Sequence, residues 1–115
     1  MVALLALLLG VARPPAAYVE PGHIRLAVSS WCWGRHCGAP IARSGRPVVL
    51  TRGSTVHVRF AFVPTAARVA VGGSQVVALR NGSEISWRVR MGGGMTINVT
   101  GTKGFVAYVG RLVIR

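Results

Sequence analysis

Residues 55–62 read Thr-Val-His-Val-Arg-Phe-Ala-Phe, and this stretch decides the fold class. Every second residue from Val56 onward is apolar, while the residues between them include His57 and Arg59. Successive side chains of a β-strand point to opposite faces, so the alternation places the apolar side chains on one face. Valine and phenylalanine also favour strands. The stretch therefore predicts a strand with one buried face and one solvent-exposed face.

The same period-two alternation recurs in residues 24–28, 85–89 and 95–99, and no amphipathic helix pattern is visible after residue 17. Glycine-containing turn signals separate these stretches at 52–54, 71–74, 81–83, 92–94 and 101–104. Seven or eight short strands with turns between them predict a single all-β domain. The pattern resembles an antiparallel β-sandwich of immunoglobulin-like type, with a small β-barrel as the alternative.

Two local signals make this prediction more specific. Asn81-Gly82 lies between two strand patterns, and both residues tolerate the positive φ of a type I′ turn, so it predicts a β-hairpin. Gly110 interrupts the last apolar run, residues 105–114, and predicts a β-bulge at which the strand passes from one partner to another.

The charge composition restricts the chemistry of the chain. Fourteen Lys and Arg residues and only two acidic residues give a net charge of +12 over 115 residues. The two carboxylates are Glu20, which we place in a linker, and Glu84, which we expect to pair with a neighbouring arginine. A catalytic triad needs a base oriented by a carboxylate, and only these two carboxylates are available to the three histidines. A paired-carboxylate mechanism is formally possible, but the two residues lie in unrelated segments of the sequence. We therefore predict a non-catalytic protein without a cofactor.

The N-terminal residues predict an exported protein. Residues 2–9 form an apolar run of Leu, Ala and Val that ends before Arg13, too short to span a membrane and similar to the apolar part of a signal peptide. We assign residues 1–17 to a signal peptide or short apolar N-terminal segment, with cleavage after Ala12 or Ala17, and residues 18–115 to the β-sandwich. A short apolar helix packed on the domain or lying at an interface is the alternative.

Residues 31–38 contain the highest concentration of reactive and aromatic side chains in the sequence and read Trp-Cys-Trp-Gly-Arg-His-Cys-Gly. In an exported protein, Cys32 and Cys37 predict a disulfide that closes a tight loop. Closing a loop of this size contributes about 2 kcal/mol in the chain-entropy model. A soft-metal site for zinc or Cu(I) that uses Cys32, His36 and Cys37 is an alternative, as is a redox-active cysteine pair. The spacing matches neither the usual zinc motifs nor the thioredoxin motif.

Trp31 and Trp33 share one face of an extended segment. One interpretation is that at least one of them fills the end of the core, as buried aromatic residues commonly do. The functional interpretation is an exposed aromatic patch, formed with Arg35 and His36, that stacks on a sugar, a base or a lipid headgroup.

Strand alternation also predicts a cationic face. The outward positions carry five candidate anion-binding residues: Arg25, His57, Arg59, Arg88 and Arg90. Guanidinium groups in one sheet attract polyanions, so we predict an adhesion, binding or structural module for an anionic envelope polymer, an acidic lipid surface or an acidic protein. A nucleic-acid-binding β domain is the alternative function, and a generic solvated basic surface is the alternative to a site.

Overall fold

The computed structural model describes residues 13–38, 40 and 46–115. These residues form an all-β structure in which two sheets pack together, so the predicted β-sandwich is confirmed. Within the described residues, no helix is long and apolar enough to cross a membrane. The first twelve residues of the predicted N-terminal segment, 1–17, lie outside the described part of the chain.

The described residues form twelve strands. In chain order they are β1 (Ala17–Glu20), β2 (Ile24–Arg25), β3 (Ala27–Trp33), β4 (His36–Gly38), β5 (Val48–Leu50), β6 (Thr55–Phe60), β7 (Ala66–Val71), β8 (Ser74–Val76), β9 (Leu79–Asn81), β10 (Glu84–Arg88), β11 (Gly93–Gly101) and β12 (Gly104–Ile114). The five-stranded sheet has the order β2-β1-β6-β10-β9. The second sheet has the order β4-β3-β12-β11-β7-β8, and β5 pairs with β12 in parallel.

The strand order is that of an immunoglobulin-like sandwich. Strands β1, β6, β10 and β9 occupy the positions of A, B, E and D in one sheet, and β8, β7, β11 and β12 those of C′, C, F and G in the other. The described residues form twelve strands, more than the seven or eight that the turn spacing predicts, and the predicted stretch 24–28 is divided between β2 and β3. Strands β2 to β5 are additional, and the β3–β4 hairpin extends the second sheet beyond β12.

The core consists of the inward side chains of both sheets. Val56, Val58 and Phe60 are buried as predicted from their alternation, and Phe62 packs against them. Tyr108 of β12 is fully buried, and its hydroxyl donates a hydrogen bond to the carbonyl oxygen of Pro15 at 2.7 Å. Burial raises the pKa of the Tyr108 hydroxyl. This bond ties the segment before β1 to the centre of the opposite sheet.

The longest strand, β12, changes partner at the position predicted from Gly110. It pairs with β3 before this glycine and with β5 after it. The bulge itself, however, lies in β3, where Ser29 is left out of the pairing and its hydroxyl donates to the carbonyl oxygen of Ala107 at 3.2 Å. Gly110 is instead a position of close packing, because a Cβ atom there would lie 2.8 Å from Cδ2 of Leu26.

The hairpin predicted at Asn81-Gly82 joins β9 to β10, with Asn81 paired to Glu84. Its two central residues are therefore Gly82 and Ser83, one position later than predicted. Gly82 has a φ of 63°, whereas Asn81 and Ser83 have no positive φ. This pattern matches a type II′ turn, which has glycine at the first central position, and the predicted type I′ turn is wrong.

Candidate anion-binding face and disulfide hairpin

Three predicted anion-binding arginines lie on the solvent side of the five-stranded sheet, which we call the Arg face. Cross-strand pairing places Tyr18 opposite both Arg25 and Arg59. Arg88 lies further along β10, opposite Thr55 at the end of β6. The sheet thus brings Arg25, Arg59 and Arg88 to one surface from three strands that are far apart in the sequence. Arg90 is exposed just beyond the end of β10, at the margin of this face.

The Arg face also contains an ion-pair network centred on Glu84. Its carboxylate accepts hydrogen bonds from Nδ1 of His57 at 3.0 Å and from Nε of Arg59 at 3.3 Å. The expected pairing of Glu84 with an arginine is confirmed, and His57 is an additional partner. The hydrogen bond from His57 is the main cause that holds the pKa of the Glu84 carboxyl below its usual range, and Arg59 contributes in the same direction. His57 and Arg59 therefore already have an anionic partner within the chain.

The second carboxylate lies on the same face. Glu20 is the last residue of β1 and pairs with His57 of β6, so its predicted placement in a linker is wrong. It accepts a hydrogen bond from Nδ1 of His23 at 2.7 Å, and this bond is the main cause that lowers its pKa. The His23 ring also stacks on Tyr18, with ring centroids 4.3 Å apart. The alternation of Tyr18, Val19 and Glu20 is the sequence signal that indicates β1.

The other predicted cations of the face have no carboxylate partner in the part of the chain that the structure describes. Within the described residues, no ion pair involves Arg25, Arg88 or Arg90. Both carboxylate side chains are held by the neighbours described above, so they do not neutralise these three guanidinium groups directly. The Arg face is therefore a mixed surface, in which a Glu84 network lies between arginines that are free to contact an external anion.

The Glu84 network predicts a pH dependence of stability. The pKa of its carboxyl lies below the ordinary value of 4.5 only in the folded protein, so its stabilising contribution is complete above pH 4.5 and is lost as the pH falls through the folded pKa. We expect the free energy of unfolding to decrease by about 1 kcal/mol or less, because the ion pairs of Glu84 are accessible to solvent. Urea unfolding at pH 6 and pH 3 measures this decrease, and Glu84→Gln should reduce it. Identical pH dependence in the two proteins would contradict the prediction.

The disulfide is present where the cysteine spacing predicts it. Cys32 and Cys37 are bonded across the β3–β4 hairpin, where they form a cross-strand pair. The hairpin turn contacts the neighbouring β11–β12 turn, since the amide of Gly34 donates to the carbonyl oxygen of Lys103 at 2.7 Å. In the bonded state, the two sulfurs are not available as thiolate ligands. Among the described residues, no group of three or more His, Cys, Asp or Glu side chains is placed to hold a metal ion.

The structure separates the residues of the predicted aromatic patch. Trp31 is only 5% exposed, and its indole lies against Gly38 of the neighbouring strand, where a Cβ atom would overlap the ring. Trp33 is half-buried and packs against Phe62, with ring centroids 4.7 Å apart. Arg35 and His36 remain exposed at the hairpin turn. Trp31 therefore fills the core, and these four residues do not form one exposed aromatic surface.

These features define the class of protein: a basic, disulfide-containing β-sandwich with immunoglobulin-like strand order and an arginine-bearing sheet face. Comparisons with protein-family models, curated proteins and solved structures find no match to this chain.

Proposed function

We propose that this protein is an exported, non-catalytic binding module that docks on an anionic surface through its Arg face. The observation that carries the proposal is the position of Arg25 and Arg88 on one sheet face, with Arg90 at its margin, without carboxylate partners among the described residues. Guanidinium groups held on a rigid sheet offer planar donors to phosphate, sulfate or carboxylate groups.

Two further observations support the non-catalytic and exported character of the module. Both carboxylates are hydrogen-bonded to histidines and have lowered pKa values, so neither is kept protonated as a general acid. The Cys32–Cys37 disulfide is consistent with an oxidising compartment. Cleavage of the N-terminal segment after Ala12 would retain Pro15, whose carbonyl accepts the Tyr108 hydrogen bond, whereas cleavage after Ala17 would remove it.

Single-stranded nucleic acid is the alternative ligand, because Tyr18 lies between Arg25 and Arg59 and offers an aromatic ring beside two cations. However, His23 stacks on one side of that ring. Binding of the purified chain to anionic vesicles, anionic polysaccharide and single-stranded DNA, each over a salt series, distinguishes these partners. Binding that disappears for all three at about 0.15 M salt would overturn the proposal and indicate a generic basic surface.

A charge-reversal pair tests the location of the site. We expect Arg25→Glu with Arg88→Glu to weaken binding to the preferred polyanion about tenfold or more, since each cation near an anionic surface contributes about 1 kcal/mol. The matched control reverses Arg68 and Arg111, which are exposed on the second sheet and change the net charge equally. Equal loss of affinity in both double variants would show that net charge, rather than the Arg face, determines binding.

A further inference from the structure

One corner of the sandwich combines exposed apolar side chains with free cations. Val77 is 89% exposed, Leu79 is 72% exposed and Met91 is 42% exposed. Val77 lies in the connection between β8 and β9, which passes from the edge of one sheet to the edge of the other. We call Val77, Leu79 and Met91, together with Arg88 and Arg90, the apolar corner.

The residues of the apolar corner are close in space. Leu79 pairs with Ser86 of β10, so Arg88, two residues further along β10, is its diagonal neighbour on the same face. Val77, Met91, Arg88 and Arg90 line a common cleft of about 390 Å³, whose other lining residues include the core residues Val71 and Trp87. Val77 and Met91 therefore line a mixed cleft between the two sheets, which also contains Ser74 and Gln75, and Leu79 lies beside it next to Arg88.

The two arginines of the apolar corner indicate what kind of partner would bind there. Arg88 and Arg90 have no ion-pair partner among the described residues, so a purely apolar partner would leave two guanidinium groups against an uncharged surface. A water-soluble polyanion would satisfy the arginines but would leave Val77 and Leu79 in water. An anionic phospholipid bilayer satisfies both, because its phosphate groups lie directly above an apolar layer.

We propose that the apolar corner docks on an anionic phospholipid membrane, with Val77, Leu79 and Met91 entering the boundary between headgroups and acyl chains. Arg88 and Arg90 then bind the lipid phosphates. This inference rests on the proposed function, since it names the anionic partner and the part of the molecule that reaches it. Burial of the three apolar side chains would add a contribution to the binding free energy that salt does not screen, because only the electrostatic attraction weakens with ionic strength.

The test compares two double variants in co-sedimentation with vesicles of phosphatidylcholine alone and of phosphatidylcholine mixed with phosphatidylglycerol. We expect Val77→Ser with Leu79→Ser to lower the affinity for the anionic vesicles about tenfold or more, because it removes apolar groups that would be buried in the bilayer. The same variant should bind heparin, a water-soluble polyanion, as the wild-type protein does. Val63→Ser with Val113→Ser is the matched control, since both valines are exposed and lie outside the corner.

The outcomes separate this inference from the proposed function. If the wild-type protein binds neither vesicles nor heparin at about 0.15 M salt, both fail. If it binds heparin but the serine variant and its control bind anionic vesicles equally well, the membrane inference fails and the proposed function stands. If the serine variant loses vesicle binding, heparin binding is unchanged and the control behaves as the wild type, the apolar corner is a membrane-docking site.

Discussion

Replacing Gly104 with alanine should destabilise the protein by about 3 kcal/mol or more. Gly104 begins β12 opposite Trp33 of β3, and its φ of 153° is rare for residues with a side chain. A Cβ atom there would overlap the carbonyl oxygen of Cys32 and would lie 2.9 Å from its carbonyl carbon. Because these are backbone atoms, no rotamer change can relieve the overlap, and β3 would have to move away from β12.

The urea midpoint of Gly104→Ala measures this effect, and Gly94→Ala provides the matched control. Gly94 lies in β11 of the same sheet, has no positive φ and has no heavy atom within 4 Å of the position that a Cβ atom would take. We expect the control to unfold close to the wild-type midpoint. Gly104→Ala with a midpoint equal to that of the control would show that β3 accommodates the methyl group, and would refute the predicted close approach of the two strands.

Replacing Tyr108 with alanine should lower the free energy of unfolding by about 3–5 kcal/mol, as is typical for the loss of a large buried aromatic side chain. Tyr108 is among the largest fully buried side chains of the described residues, and its ring lies 5.6 Å from that of Phe60 in the opposite sheet. The alanine variant would leave a cavity between the two sheets. An unfolding free energy within about 1 kcal/mol of the wild-type value would contradict this account.

The Tyr108→Phe variant separates the packing of the ring from its hydrogen bond. It keeps the ring but removes the donor to the Pro15 carbonyl, so we expect a loss of about 1 kcal/mol. Hydrogen exchange should increase first at residues near the start of β1, because this bond ties the preceding segment to the core. Equal losses in the phenylalanine and alanine variants would show that the hydroxyl, rather than the ring, provides most of the stabilisation.

The sequence indicates the importance of Gly104 and Tyr108 only in part. The alternation of apolar residues establishes that the chain is all-β and which face of each long strand is buried, because burial of one face imposes a period of two. Glycine indicates the positions of most turns, because a turn often requires a positive φ and glycine adopts that conformation without a steric cost. This signal is also local, since it depends on a single residue. The Cys32–Cys37 disulfide is also local, because the two cysteines are close enough in the chain to face each other across one hairpin.

The functional surface depends on contacts that have no such local signal. Glu20 and Glu84 are far apart in the chain, yet β6 lies between their strands and places His57 and Arg59 beside them. The sequence shows that Arg25, Arg59 and Arg88 are outward, but not that Arg59 is paired while the other two are not. Pairing between distant strands is decided by the packing of the complete core, so no single segment encodes it.

Strand β3, which lies outside the immunoglobulin-like pattern, also combines local and tertiary effects. The bulge at Ser29 shifts the alternation of β3, so that Trp31 turns inward and fills the core rather than forming an exposed patch. Local composition determined the fold class, the inward faces of the strands and the disulfide of this protein, because each depends on residues close together in the chain. Only the tertiary structure decided which cations remain unpaired and where apolar side chains stay exposed beside them, because those properties depend on which strands become neighbours.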